Sequence, residues 1–345
     1  MVMKNNNYLF YISQNYSFEI LRPLQKEIRR QGSKVHWFVA GCEVEMNNFS
    51  TDEVVLNSVD EVIEFNPLAS FVPGNIIPRF IPGIKVQVFH GLEWKKQGHF
   101  VIRDCFDLYC THGKATTTRF NELAKKHQFF DVKETGWPKL DHLFNTPKAE
   151  YFSDNKPTIL FAPTFSPSLT SAPFLYEKIA TLVKEKKYNW LVKFHPKMDE
   201  KWITLYSQLS SDNLKIIESS NINSLLQSAD VMISDTSSVI GEFSLLGKPV
   251  ISLNNSQPGD YLINITKAEE LSQALQVALL PPKRLISAIS QYAEELHPYC
   301  DGESSLRILA AVEAILSNGK ESIKPLPLNI IRNLKQRKKL NYWKL

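Results

Sequence analysis

The sequence has no apolar run near the roughly 20 residues a helix needs to cross a bilayer, which excludes a helical membrane span. Its four cysteines, Cys42, Cys105, Cys110 and Cys300, form no CxxC pair and no zinc-ligand spacing. They point to reduced thiols rather than a disulfide framework. The start, Met1-Val2-Met3-Lys4-Asn5-Asn6-Asn7, lacks the apolar core of a signal peptide. Together these features predict a cytoplasmic protein. There is no GxxxxGK[ST] and no GxGxxG, against a P-loop or a typical dinucleotide site. HExxH and GxSxG are missing too, and so is any DxD triplet of the kind that clamps a metal–nucleotide pair.

What is present is the composition of a globular protein: 345 residues, 43% hydrophobic and 22% charged, long enough for two domains of ordinary size. The formal charge of +4 is unevenly spread. From Ser322 to Leu345 stand seven bases (Lys324, Arg332, Lys335, Arg337, Lys338, Lys339, Lys344) and no acid, which leaves the body slightly negative. Such a segment suits contact with an anionic membrane surface, and equally suits a solvated tail; nucleic acid is not expected as a partner. The five apolar residues Ile330, Ile331, Leu334, Leu340 and Trp343 do not share one helical face, which argues against insertion as an amphipathic helix.

Strand and helix patterns alternate along the chain. Strands are predicted at Tyr8–Ile12, Val35–Val39, Lys85–Phe89, Asp107–Cys110 and Val132–Thr135, with helices over Phe18–Arg30 and Thr116–Lys126. The proline-rich stretch Pro67–Pro82 reads as loop. A second series of strands runs Thr158–Phe161, Trp190–Phe194, Lys215–Ile217, Val231–Ser234 and Val250–Leu253. Helices fall at Phe174–Lys186, Ile222–Ser228 and Val239–Leu246, and three more close the chain between Ala268 and Leu316. The pattern predicts an α/β protein of two Rossmann-like domains with parallel sheets facing a cleft and a helical C-terminal end. The expected partition is 1–149, 150–320 and a basic tail at 321–345.

In open parallel sheets ligands sit beyond the carboxyl ends of strands. Polar residues gather there: His90-Gly91, His112-Gly113, Pro163-Thr164, His195-Pro196 and Ser234 to Ser238. A lone histidine in such a place is more often a structural hydrogen-bonder than a catalyst, but five polar strand ends in one chain are harder to set aside. The turn Asp235-Thr236-Ser237-Ser238 reads two ways. It is an ordinary helix cap, or hydroxyls and helix N–H groups that cradle a phosphate.

These residues carry a family resemblance. QVFHGLEWKKQG (His90-Gly91, Lys95-Lys96, Gly98) resembles the WHG…LK…G element of the CDP-glycerol glycerophosphotransferases, the teichoic-acid primases and polymerases with their capsule relatives. Gly136-Trp137-Pro138-Lys139-Leu140-Asp141 is similar to the family's GYPR-L-D, ILFAPT at Ile159–Thr164 to ILYAPTWR, and KFHP at Lys193–Pro196 to K-HP. Asp230–Val250 is similar to DVLITDYSS…ALLGKPVI, and Asp301-Gly302 with Arg307 to the terminal DG…S-R. The pieces come in the family's order from about residue 84 to about 310.

The resemblance implies an enzyme of the GT-B type that moves glycerol phosphate, or a related polyol phosphate, from a CDP-activated donor to a hydroxyl of a cell-surface glycan or teichoic-acid-like acceptor, with loss of CMP. His90 and His195 would be catalytic, His90 as the base. Pro163, Thr164, Lys193, Ser234, Asp235, Thr236, Ser237, Ser238 and Glu242 would bind the donor, and so would Arg307, unless it pairs with Asp301. Gly91, Lys95 and Lys96 would face the acceptor. No resident cofactor or metal is implied, with room for a loosely bound magnesium ion. Partners would be the donor, a lipid-linked or polysaccharide acceptor and, through the basic tail, the inner face of the cytoplasmic membrane. Thr236 stands where the family has tyrosine and Ser166 near its Trp-Arg pair, and Leu92-Glu93-Trp94 departs after the HG, so the polyol stays open. The membrane-recruiting portion of the larger polymerases is not in the sequence, which favours a primase-like or capsule-type enzyme. A glycosyltransferase of the same architecture using a nucleotide sugar, and a non-catalytic nucleotide-binding partner in glycan assembly, are the competing readings.

Overall fold

The computed structural model describes residues 6–92, 97–218 and 222–344. The first sheet holds seven parallel strands, β1 (Asn7–Gln14), β2 (Lys34–Glu43), β3 (Val55–Leu56), β4 (Ala69–Val72), β5 (Ile84–Gln87), β6 (Leu108–Thr111) and β7 (Asp131–Glu134). Their spatial order is β3-β2-β1-β4-β5-β6-β7, reversing direction between β1 and β4. Both faces are covered, which is why β1 reads as an unbroken apolar run. Phe10 meets Trp37 and Phe71 on one face, at ring-centroid distances of 4.8 and 6.0 Å. Leu9 and Tyr11 pack on the other with Phe38, Val72 and Phe106.

The second sheet has six parallel strands, β8 (Thr158–Phe161), β9 (Asn189–Val192), β10 (Leu214–Ile216), β11 (Val231–Ser234), β12 (Val250–Leu253) and β13 (Leu262–Ile265). Their order is β10-β9-β8-β11-β12-β13, so the reversal lies between β8 and β11. Ile159, Phe161, Trp190, Ile233 and Ile251 pack under the helices Ala172–Lys184 and Leu271–Leu279. No helix among the described residues is long and apolar enough to cross a membrane.

The expected loop Pro67–Pro82 contains β4, which pairs with both β1 and β5. Prolines break a strand only where their nitrogen is needed in the ladder. Pro67 and Pro73 flank the paired residues, and the ladder is carried by Leu68 N–H to the Asn7 carbonyl (2.8 Å) and Val88 N–H to that of Val72 (3.1 Å).

The chain divides into compact units of residues 1–144 with 296–345, and 145–295. The C-terminal portion, expected partly in the second domain and partly as a separate tail, lies with the first unit. The Asp141 carboxylate accepts from the Ser304 and Ser305 amides, both at 2.7 Å, and so caps helix Ser304–Asn318. Gly136 sits at φ +79, where an added Cβ would lie 2.5 Å from Ser304 Oγ. The Trp137 amide donates to His297 Nε2 at 2.9 Å. Farther on, Asp131 accepts from the amides of Glu321 (2.8 Å) and Ser322 (2.7 Å), and Lys324 N–H donates to the Gln128 carbonyl (2.8 Å). The segment then forms helix Ile330–Lys339, and Leu326, Leu340 and Tyr342 pack on the first unit's core.

Candidate functional site

In the first unit the chain leaves β5 through Val88 and turns at Phe89, whose φ of +59 lies in the left-handed region. For a bulky side chain that conformation costs on the order of 1–3 kcal/mol and persists only where packing holds it. The buried Phe89 ring lies 4.9 Å from His99, 5.3 Å from His112 and 5.2 Å from Phe120 by centroid. Trp137 Nε1–H donates to the Phe89 carbonyl at 3.4 Å. The next residue, His90, is exposed, with Nδ1 3.3 Å from the Pro73 carbonyl. A carbonyl only accepts, so this contact asks for the proton on Nδ1, and in the neutral ring that leaves the Nε2 lone pair to act as a general base. Gly91 is half-buried, and among the described residues a Cβ there would meet nothing within 4 Å. Lys95 and Lys96, expected at the acceptor, lie outside the described residues.

His112, another polar strand end, is fully buried, and burial pulls its pKa well below the ordinary value. It is a neutral packing group behind Phe89. Phe89, Trp137 and Pro73 were not singled out in the sequence as site residues. Phe89 and Trp137 lie inside two of the family-like motifs, but their bearing on His90 arises from contacts made through space.

In the second unit His195 follows β9 by three residues and is exposed. Its Nδ1 accepts the Lys197 amide at 3.1 Å, so the ring proton sits on Nε2. Phe165 stacks on the ring at 4.3 Å. Partial burial, with Lys197 and Lys193 nearby, holds the imidazole pKa below its usual value. A neutral ring with an outward N–H suits donation to a phosphate oxygen. Lys193 is half-buried, with Nζ 3.3 Å from the Glu218 carbonyl, and burial lowers its pKa as well.

The turn after β11 separates into two kinds of residue. Ser234 is fully buried and its hydroxyl donates to the Ala162 carbonyl at 2.7 Å. Asp235 is equally buried. Its carboxylate accepts from the Thr164 amide (3.0 and 3.1 Å) and from both the amide and hydroxyl of Ser171 (2.9 Å each). Burial raises its pKa even so. These two residues were expected to touch the donor; the structure turns them inward, where they bind the loop after β8 to the turn after β11. Pro163 and Thr164 are thereby set beside that turn. Thr236 Oγ1 accepts from the Ser256 amide at 3.1 Å.

Ser237 is half-buried and Ser238 exposed. Ser238 occupies the N-cap of helix Val239–Ser244 without a side-chain capping bond. The helix is only six residues long, which limits its dipole and leaves amides and hydroxyls as the main donors. Glu242 is buried on this helix rather than exposed.

Arg307 belongs to the first unit and the Asp235 turn to the second. Its guanidinium makes a two-pronged pair with Asp301 (2.8 and 3.1 Å), donates through Nε to the Thr135 carbonyl (2.8 Å), and lies 3.8 Å over the Tyr299 ring. Of its two expected partners, donor phosphate or Asp301, the structure gives Asp301, whose pKa the arginine hydrogen bond depresses. Arg307 therefore clamps the chain after β7 to helix Ser304–Asn318.

A family model described as CDP-Glycerol:Poly(glycerophosphate) glycerophosphotransferase matches residues 95–314. The teichoic acid glycerol-phosphate primase of Bacillus subtilis (strain 168) is 31% identical over 175 residues, 47% of this chain and 45% of that protein. The teichoic acid poly(ribitol-phosphate) polymerase of Bacillus spizizenii is 36% identical over 138 residues, 35% of this chain and 22% of that protein. The matched stretches thus span less than half the length of either relative. A solved structure of the wall teichoic acid polymerase TagF is 13% identical, covers 91% of this chain and 89% of that one, and superposes with a TM-score of 0.62. At that identity the likeness is one of fold, and it agrees with two parallel α/β units of the GT-B type. The family match takes in His195, the Asp235 turn and the two segments joined by Asp141 and Arg307, and it begins just beyond His90. On that span, this chain belongs to the CDP-glycerol:poly(glycerophosphate) glycerophosphotransferase family.

Proposed function

We propose that this protein transfers glycerol phosphate, or a related polyol phosphate such as ribitol phosphate, from a CDP-activated donor to a hydroxyl of a teichoic-acid-like or other cell-surface glycan acceptor. His90 Nε2 takes the acceptor's hydroxyl proton as the oxygen attacks the β-phosphorus. The bond from that phosphorus to the bridging oxygen breaks, and CMP leaves. His195 Nε2–H, Lys193, and the amides and hydroxyls of Thr236, Ser237 and Ser238 hold the diphosphate oxygens as charge moves toward the leaving group. Phosphoryl transfer asks mainly for positioning and charge stabilisation, which these donors supply. The acceptor is a lipid-linked or polysaccharide chain met at the cytoplasmic face of the membrane.

The observation that supports this reading is the opposite partners of two exposed strand-end histidines, a carbonyl at His90 Nδ1 and an amide N–H at His195 Nδ1. His90 is set to accept a proton, and His195 to donate a hydrogen bond. The polyol is left as a pair because the two relatives are named for glycerol phosphate and ribitol phosphate. The test is CMP release by the purified chain given CDP-glycerol or CDP-ribitol and a lipid-linked or oligosaccharide acceptor. His90→Ala is expected to lower kcat by about 10²–10⁴-fold. Release no greater than that of His90→Ala would sink the proposal, and turnover of a nucleotide sugar instead would replace it with glycosyl transfer.

A further inference from the structure

Helix Ile330–Lys339 turns its two arginines inward and its apolar side chains outward. Inward, Arg337 lies over the rings of Phe80 and Tyr342 at 5.0 and 5.6 Å, and Arg332 stands 3.9 Å from the Asp104 carboxylate. Leu340 also turns in, onto the core. Outward, Ile330, Ile331 and Leu334 keep 67%, 71% and 50% of their surface exposed. At about 100° per residue these three share an arc of roughly 100°, within which Lys338 also falls and which Lys335 extends on the same exposed side. Trp343, just past the helix, is exposed as well. The five apolar residues of this segment do not share a face. Removing the inward Leu340 and the non-helical Trp343 leaves three that do.

A surface helix normally buries its apolar stripe. Here that stripe stays in solvent, with Lys338 within it and Lys335 at its edge, no acid on the helix and a tryptophan beside it. That is the composition of a helix lying in a bilayer interface. A second copy of the same face would bring lysines against lysines, and nucleic acid would leave the isoleucines and Leu334 without partners. An anionic lipid surface satisfies both halves of the face.

We propose that this outward face is a membrane-docking surface, with Ile330, Ile331 and Leu334 entering the acyl boundary of an anionic bilayer and Lys335 and Lys338 meeting its phosphates. The inference goes beyond the transferase reading and does not depend on it, because it is tested without donor or acceptor. The full chain is sedimented with vesicles of phosphatidylcholine, alone or mixed with phosphatidylglycerol, across a range of salt. Binding is expected only to the mixed vesicles, with a blue shift in tryptophan emission that Trp343→Phe removes. The combined variant Ile330→Gln, Ile331→Gln, Leu334→Gln should partition at least about tenfold less while melting at the same temperature, since its sites are exposed. Lys335→Gln with Lys338→Gln should weaken binding most at low salt. No binding to mixed vesicles, full binding by the triple glutamine variant, or a concentration-dependent dimer abolished by that variant would each overturn the proposal.

Discussion

At the scale of single residues, the same side chain in the same kind of place is given two roles by its neighbour. His90 and His195 both stand just past a buried parallel strand, one facing a carbonyl and the other an amide. This predicts different kinetic signatures. His195→Ala should raise the donor KM, while His195→Gln, whose amide N–H reaches about as far as Nε2, should recover part of it. His90→Gln, by contrast, should leave donor KM near wild type and lose kcat, because a glutamine cannot take the proton. Steady-state CMP release over a range of donor concentrations separates the two patterns. Phe89 is placed as a positioning residue by its φ of +59 and its bond from Trp137. Trp137→Phe removes that N–H together with part of a buried ring. It should lower kcat several-fold and cost more than about 1 kcal/mol of stability in urea unfolding, with donor KM unchanged.

At the scale of elements, residues from two of the family-like motifs act as joints. Asp141 caps helix Ser304–Asn318 from a distant part of the chain, and Arg307 returns the tie to the Thr135 carbonyl. Burial raises the Asp141 pKa although the amides of Ser304 and Ser305 oppose it, as expected of a carboxylate enclosed by protein. Asp141→Ala should cost about 2 kcal/mol by leaving two helix-start amides without their acceptor. Gly136→Ala should cost more than about 1 kcal/mol, from the positive φ together with the contact to Ser304 Oγ. Denaturant titration with CD as readout checks both, and a variant as stable as wild type would remove the joint. The same scale shows where the sequence was legible. Val231–Ser234 and Val250–Leu253 are strands at the expected residues, because strands buried on both faces are short apolar runs with sharp polar ends. The strand Ala69–Val72 was hidden between prolines that lie outside its paired residues.

At the scale of the whole molecule, acid sensitivity follows from histidines held neutral in the fold. Burial pulls the His297 pKa from 6.5 down to about 4, and His112 is pushed down too. Below about pH 6.5 the unfolded chain takes up protons that the folded one refuses, so stability is full above that pH and is lost progressively toward pH 4. For His297 alone the loss is roughly 3 kcal/mol across the window. Melting temperature measured from pH 7 to pH 4.5 should fall, and His297→Gln should flatten the slope whatever it does to the value at pH 7. A slope unchanged in that variant would remove His297 as its source.

The sequence by itself determined the alternation of strand and helix, the parallel sheets and the positions of the strand-end residues. All of these depend on apolar patterning and turn chemistry within a few neighbouring residues. Only the tertiary structure decided which of those residues face outward. Asp235 and Ser234 bind their own scaffold, Arg307 binds Asp301, and the apolar face of helix Ile330–Lys339 is left outside. It also assigned the C-terminal segment to the first unit, through bonds such as Asp141 to Ser304 that join residues far apart in the chain. A hydrogen-bond partner supplied by another part of the fold leaves no periodicity in the sequence, as the Pro73 carbonyl at His90 shows.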